Sequence, residues 1–222
     1  MSHSRAATAL LLVLIAACTM AFLRAEQLKL RKSPVSKPRI HQSFSPGCAQ
    51  PGCHPKARLQ FTLRSPLTVS LAIVDVGGHV IRTLETDTRH PKGDVRFVWD
   101  GLNDSSRQVP DGRYELRVAI RDRSITIPEP ILVDTQKPGI TLDRIDRGKT
   151  IRLHYTKADR NTRAIIVVLR NGKVVREQRV YLNPAHLPTA EIAPGRYVVQ
   201  IIAIDAAGNR TAQPPSFRVT VR

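Results

Sequence analysis

The residues with most capacity for chemistry lie in the segment CAQPGCHP, where Cys48, Cys53 and His54 stand close together. Outside a reducing cytosol, two such cysteines pair as a disulfide closing a small loop, and Pro51-Gly52 helps the chain turn back. Three other chemistries stay open. C-x4-C-H is a loose variant of the C-x-x-C-H haem attachment sequence, although an all-β chain offers haem no evident axial partner. The same three side chains could supply part of a zinc site, with His41 as a fourth ligand. The pair could also remain free thiols.

A second candidate is the oxygen-rich stretch WDGLNDSSRQVPDG, which holds Asp100, Asn103, Asp104 and Asp111. Such loops can bind calcium, but EF-hand spacing is absent, and Asp and Asn also cap backbone groups in turns. His41, His54, His79, His90, His154 and His186 are scattered over linker, turn and strand positions. The chain contains no G-x-S-x-G, H-E-x-x-H, P-loop or G-x-G-x-x-G sequence. The expectation is a non-enzyme with no catalytic, cofactor-binding or metal-binding residues.

The elements that would position these groups are strands. Leu59, Phe61 and Leu63 alternate with polar neighbours, as do Leu67, Val69, Leu71 and Ile73. Val95, Phe97 and Trp99 form another inward face, and Tyr114, Leu116, Val118 and Ile120 a further one. Period-2 patterning with turns at short intervals predicts antiparallel sandwiches. Gly77-Gly78 and Asn171-Gly172 are hairpin turns. The later half repeats the plan through Ile151–Tyr155, Ile165–Leu169, Tyr197–Ile201 and Phe217–Val221. "IVDVGGHVIRTL" parallels "VVLRNGKVVREQ", and "PDGRYELRVAI" parallels "APGRYVVQIIAI". The fold class expected is therefore all-β: two tandem sandwiches over 59–137 and 138–222, which the resemblance given below makes immunoglobulin-like, after an N-terminal transmembrane helix.

Trp99 would fill the space between sheets, while Gly101 and Gly112 would permit turns that a side chain obstructs. Tyr114 and Tyr197 each follow a Gly-x turn, as a tyrosine that bonds its hydroxyl to upstream backbone would. All five roles are structural.

Residues 6–23 are apolar and uncharged. They are read as a retained single-pass anchor, with a cleaved signal peptide or a lipoprotein as alternatives. Ile15-Ala16-Ala17-Cys18 resembles a lipobox, which makes Cys18 the candidate lipidation site. Residues 24–58 form a basic linker broken by Pro34, Pro38, Pro46, Pro51 and Pro55. Arg24, Lys29, Arg31 and Lys32 would by charge alone face the cytoplasm, and the expectation of an extracytoplasmic chain overrides that rule. Aromatic residues make up only 5% of the chain, so the cores must be aliphatic. The formal charge of +17 attracts polyanions.

The order IVDVGGHVIRTL, VRFVWDG, VPDGRYELRVAIRD resembles the FlgD-type Ig-like domain, which takes its name from the flagellar hook-capping protein and also occurs in exported bacterial proteins. The likeness covers about residues 59–130. The segment APGRYVVQIIAIDAAGN resembles the last strands of a bacterial Ig-like domain. The resemblance implies a sandwich fold and an exported setting, not a flagellar role.

The functional expectation is a membrane-tethered extracytoplasmic module with a structural or binding role at the bacterial envelope. Its partners would be the membrane through residues 6–23, an anionic lipid or wall polymer, or a protein. Nucleic acid is disfavoured, because little aromatic character is interleaved with the basic residues. Alternatives are an accessory subunit docked by strand addition, and a metal- or haem-binding redox protein using Cys48, Cys53 and His54.

Overall fold

A computed structural model describes residues 12–24, 33–40, 42–121 and 123–221. The first residues of the apolar segment, 6–11, and most of the basic run after it, 25–32, lie outside the described residues, as does His41. Residues 12–24 are helical, and no helix among the described residues is long and apolar enough to cross a membrane. The spanning helix expected over 6–23 is therefore not present in the described residues.

The rest is β-structure. The earlier strands are β1 (Val35–Ile40), β2 (Ser43–Phe44), β3 (Ala57–Leu63), β4 (Leu67–Asp75), β5 (Val80–His90), β6 (Gly93–Trp99), β7 (Gly112–Ile120), β8 (Arg123–Thr126) and β9 (Ile131–Val133). The later ones are β10 (Ile140–Asp146), β11 (Thr150–Lys157), β12 (Arg163–Arg170), β13 (Lys173–Val180), β14 (Ala185–Pro188), β15 (Gly195–Ile204) and β16 (Ser216–Val221).

These strands make two sandwiches on one plan. A three-stranded sheet ordered β1-β3-β6 is matched by β10-β11-β14, and a sheet containing β9-β7-β4-β5 is matched by β16-β15-β12-β13. The repeat read in the sequence is thus a repeat of topology. The second half has no counterpart of VRFVWDG in sequence, yet short strand β14 occupies the ladder position of β6.

Inward positions follow the alternation. Leu59, Phe61, Leu63, Val69, Leu71, Ile73, Leu116 and Val118 are buried in the first sandwich. In the second, Ile151, Leu153, Ile166, Val168, Val199 and Ile201 form one core together with Tyr155 and Tyr197. The Asn171-Gly172 hairpin has φ of 51° and 77°, the left-handed pair that matches strand twist.

Part of the segment 24–58 behaves differently from a linker. β1 pairs with β3, and β2 adds in parallel to β9, so Val35–Ile40 and Ser43–Phe44 supply strands to the first sandwich. Pro38 lies in β1, an edge strand, which is where a sheet tolerates proline.

Candidate functional site

The loop CAQPGC is built from two successive turns. Cys48 N donates to Ser45 O at 3.2 Å and Cys53 N to Gln50 O at 3.2 Å. Gly47 and Gly52 take φ of +70° and +81°. This doubling back brings the Cys48 and Cys53 Cα atoms to 6.3 Å, and the two sulfurs are joined as a disulfide. The bond removes the haem and zinc readings: a thioether or thiolate ligand needs sulfurs that are here bonded to each other. Cys18, by contrast, is an exposed free thiol on helix 12–24.

The clasped loop sits against the second sandwich, at the turn Asp205–Asn209 between β15 and β16. His54 N donates to Ala207 O at 3.0 Å, and Ser45 N donates to His54 O at 2.8 Å. Gly208 has φ of +84°, and an added Cβ would lie 2.5 Å from both Cys53 Cα and Gly52 O. Only glycine permits that approach. Asn209 is 2% exposed; its Nδ2 donates to Asp205 Oδ2 at 2.8 Å and to Asp134 O at 2.9 Å. Asp134 N in turn donates to Phe44 O at 3.0 Å. Three chain segments, around residues 44–54, 134 and 205–209, therefore meet in one hydrogen-bonded joint between the sandwiches. The Asn209 amide nitrogen and both Asp205 carboxylate oxygens are partnered there, as groups removed from water should be. Burial pushes the Asp134 carboxyl up, the Gln136 N–H opposes this, and Asp205, Asp111 and Asp159 add repulsion.

Above the joint, the Trp99 ring is fixed edge-on to Phe44 at 5.4 Å and to Tyr114 at 5.2 Å. Its Nε1 donates to Leu102 O at 2.9 Å. Gly101, at φ +80°, leaves room for Pro46, whose Cγ would stand 2.4 Å from an added Cβ. Gly112 differs from the expectation: its φ is not positive, and an added Cβ would meet nothing nearer than Tyr114 Cε2 at 4.0 Å. The turn there does not require glycine. Tyr114 Oη donates to Pro110 O at 2.9 Å and Tyr197 Oη to Ala193 O at 2.7 Å, the same i−4 reach in each sandwich.

The other polar candidates are committed locally. Asp100 accepts from Leu102 N, Asn103 from Ser105 N and Arg107 N, Asp104 from Thr83, and Asp111 from Thr135. His79 pairs with Asp75, His90 with Glu85 and His154 with Asp146, each carboxylate on the same strand or hairpin. No group of three or more metal-ligating side chains comes together among the described residues. Sequence reasoning did not single out Phe44, Asp134, Asp205, Gly208 or Asn209. The signal available was the Gly-Asn pair closing AIDAAGN.

No curated protein matches the chain. Among solved structures, the fibronectin(III)-like modules of Clostridium thermocellum CbhA share 18% identity over 86% of this chain and 92% of theirs, with a TM-score of 0.42. The human OSCAR ligand-binding domain shares 14% over 84% of this chain and 100% of its own, with a TM-score of 0.41. FlgD from P. aeruginosa shares 18% over 56% of this chain and 89% of its own, with a TM-score of 0.29. Residues 54–124, spanning β3 to the start of β8, match the FlgD Ig-like domain.

Proposed function

We propose that the chain is a non-catalytic, membrane-tethered module with a structural or binding role on the outer side of the bacterial membrane. The observation that carries this reading is the clasped joint. The disulfide needs an oxidising compartment to persist, and it holds a loop whose backbone contacts fix one sandwich on the next. A two-domain unit stiffened in this way suits a spacer or a presenting arm.

The tether is supported by helix 12–24. Leu12, Val13, Leu14, Ile15, Met20, Phe22 and Leu23 all stand more than half exposed on it. A helix apolar on every side calls for an apolar surrounding. Thr19 Oγ1 donates back to Ile15 O and Ala16 O, at 2.9 Å each, so the one hydroxyl there is satisfied within the helix. Retention, cleavage, or lipidation at Cys18 are the three processing routes that fit.

Protease accessibility of residues 59–222 in intact spheroplasts tests the reading. Digestion while a cytoplasmic control protein survives supports it. Protection until lysis sinks both the compartment and the role for the disulfide.

A second reading is an accessory subunit docked by strand addition. It is favoured by edge strand β13, where Val174 and Val175 are 59% and 52% exposed, followed by Tyr181 and Leu182 at 83% and 70%. Specific co-purification of a single envelope enzyme would favour it over the first.

A further inference from the structure

The net charge of +17 is not shared between the sandwiches. Residues 59–137 carry 11 Lys and Arg against 11 Asp and Glu, a net of zero. Residues 138–222 carry 15 against 6, a net of +9, and residues 1–58 carry 9 against one, a net of +8. The two sandwiches share a topology, so the difference is not a requirement of the fold.

In the charged sandwich four of the 15 cations line a groove of about 920 Å³. The β10–β11 turn supplies Arg147 and Lys149, strand β15 supplies Arg196, and strand β16 supplies Arg218. Among the described residues no carboxylate lines it, and none of the four side chains has an ion-pair or hydrogen-bond partner. All four are exposed. Val198 and Arg218 are cross-strand partners, as are Arg196 and Thr220, so two guanidinium groups stand one strand apart on neighbouring rows. Beside the groove, Arg170 lies 5.7 Å over the Tyr197 ring, which leaves that aromatic face covered.

We infer that this groove binds an extended, flexible polymer bearing repeated oxyanions. The inference rests on the binding role proposed above and names its site and ligand chemistry. Guanidinium forks match phosphate and carboxylate oxygens in pairs, and three of the four cations are arginine. A concave groove suits one strand of polymer rather than a flat bilayer. With Tyr197 only 4% exposed, the lining offers no open ring on which a nucleobase could stack.

The test uses the full chain in detergent micelles with two probes, long-chain inorganic polyphosphate and poly-L-glutamate, over a salt series. The Arg147→Ala, Lys149→Ala, Arg196→Ala, Arg218→Ala variant is compared with one lacking Arg89, Arg107, Arg113 and Arg123, four exposed cations of the neutral sandwich. The groove variant should lose at least about tenfold in affinity, and its log–log salt slope should fall by roughly three to four. The control should stay close to wild type. Preference for polyphosphate or polyglutamate identifies the oxyanion. Equal losses in the two variants would mean diffuse attraction by net charge and overturn the groove. So would tighter binding of single-stranded DNA than of either polymer, or no binding by the wild type at low salt. Those failures leave the compartment reading standing, since it is decided by spheroplast proteolysis.

Discussion

Gly208→Ala puts the clasped joint under direct strain. Two costs arise. The residue holds φ of +84°, and a left-handed backbone costs an L-amino acid roughly 1–2 kcal/mol. The new Cβ would also lie 2.5 Å from Cys53 Cα and Gly52 O, both main-chain atoms of a disulfide-closed loop that cannot swing aside as a side chain could. Overpacking of this kind typically costs about 1–3 kcal/mol. Gly172→Ala separates the two, because Gly172 has φ of +77° but nothing within 4 Å of an added Cβ. It should show the backbone cost alone. Differential scanning of both variants should therefore place Gly208→Ala below Gly172→Ala by about 1–3 kcal/mol. For a domain of this size that is at least ~4 °C in melting temperature. Amide exchange gives the location: the His54 N–H, bonded to Ala207 O, should exchange faster only in Gly208→Ala. Equal melting of the two variants with an unchanged His54 amide would refute the docked loop.

Three further outcomes are expected. Replacing Cys48 and Cys53 by Ser opens a loop of about six residues and should cost ~2 kcal/mol on chain-entropy grounds, read by denaturant unfolding. Tyr114→Phe and Tyr197→Phe should each cost about 1 kcal/mol, through loss of the bonds to Pro110 O and Ala193 O. The first should act on the sandwich reported by Trp99 fluorescence and the second on the other. Asp134 and Asp146 should give opposite pH signatures in melting scans. Burial raises Asp134, so its charge is a cost present above its folded pKa; Asp134→Asn should stabilise at neutral pH, with the gain fading as the wild-type group protonates in acid. The hydrogen bond from His154, with the charge of Arg144 beside it, holds Asp146 below its ordinary 3.8; its stabilisation is present above that value and lost as pH falls through the lower folded one. Asp146→Asn should flatten that acid limb.

The strands were legible because each inward residue recurs every second position, as at Leu59, Phe61 and Leu63, and the structure buries them. Gly77-Gly78 and Asn171-Gly172 marked hairpins because left-handed turn positions favour Gly and Asn. The cysteine pair was legible because short spacing limits its partners. What escaped had no local signal. β2 is two residues long, too short for periodicity, and Phe44 gains its role only where β9 and Trp99 come to it from elsewhere in the chain. β12 was read as a strand over Ile165–Leu169, but its burial on both faces over Ala164–Val168 was not, because its sequence is a run and not an alternation. Asp134, Asp205 and Asn209 read as ordinary turn residues, since the joint they share forms only when separate segments meet. Gly112 shows the reverse error: a glycine in a turn-like motif need not be there for its φ.

The parallel pairing of β2 with β9 has a mechanical consequence. β2 leads back toward the N-terminal segment, and β9 leads on to the second sandwich. Tension between a fixed N-terminus and a load on the second sandwich would pull these parallel strands in opposite directions along their length. Their hydrogen bonds would then resist together, in shear, rather than break singly in succession. The disulfide loop lies just beyond β2, so extension from that side would stop short of the residues between Cys48 and Cys53.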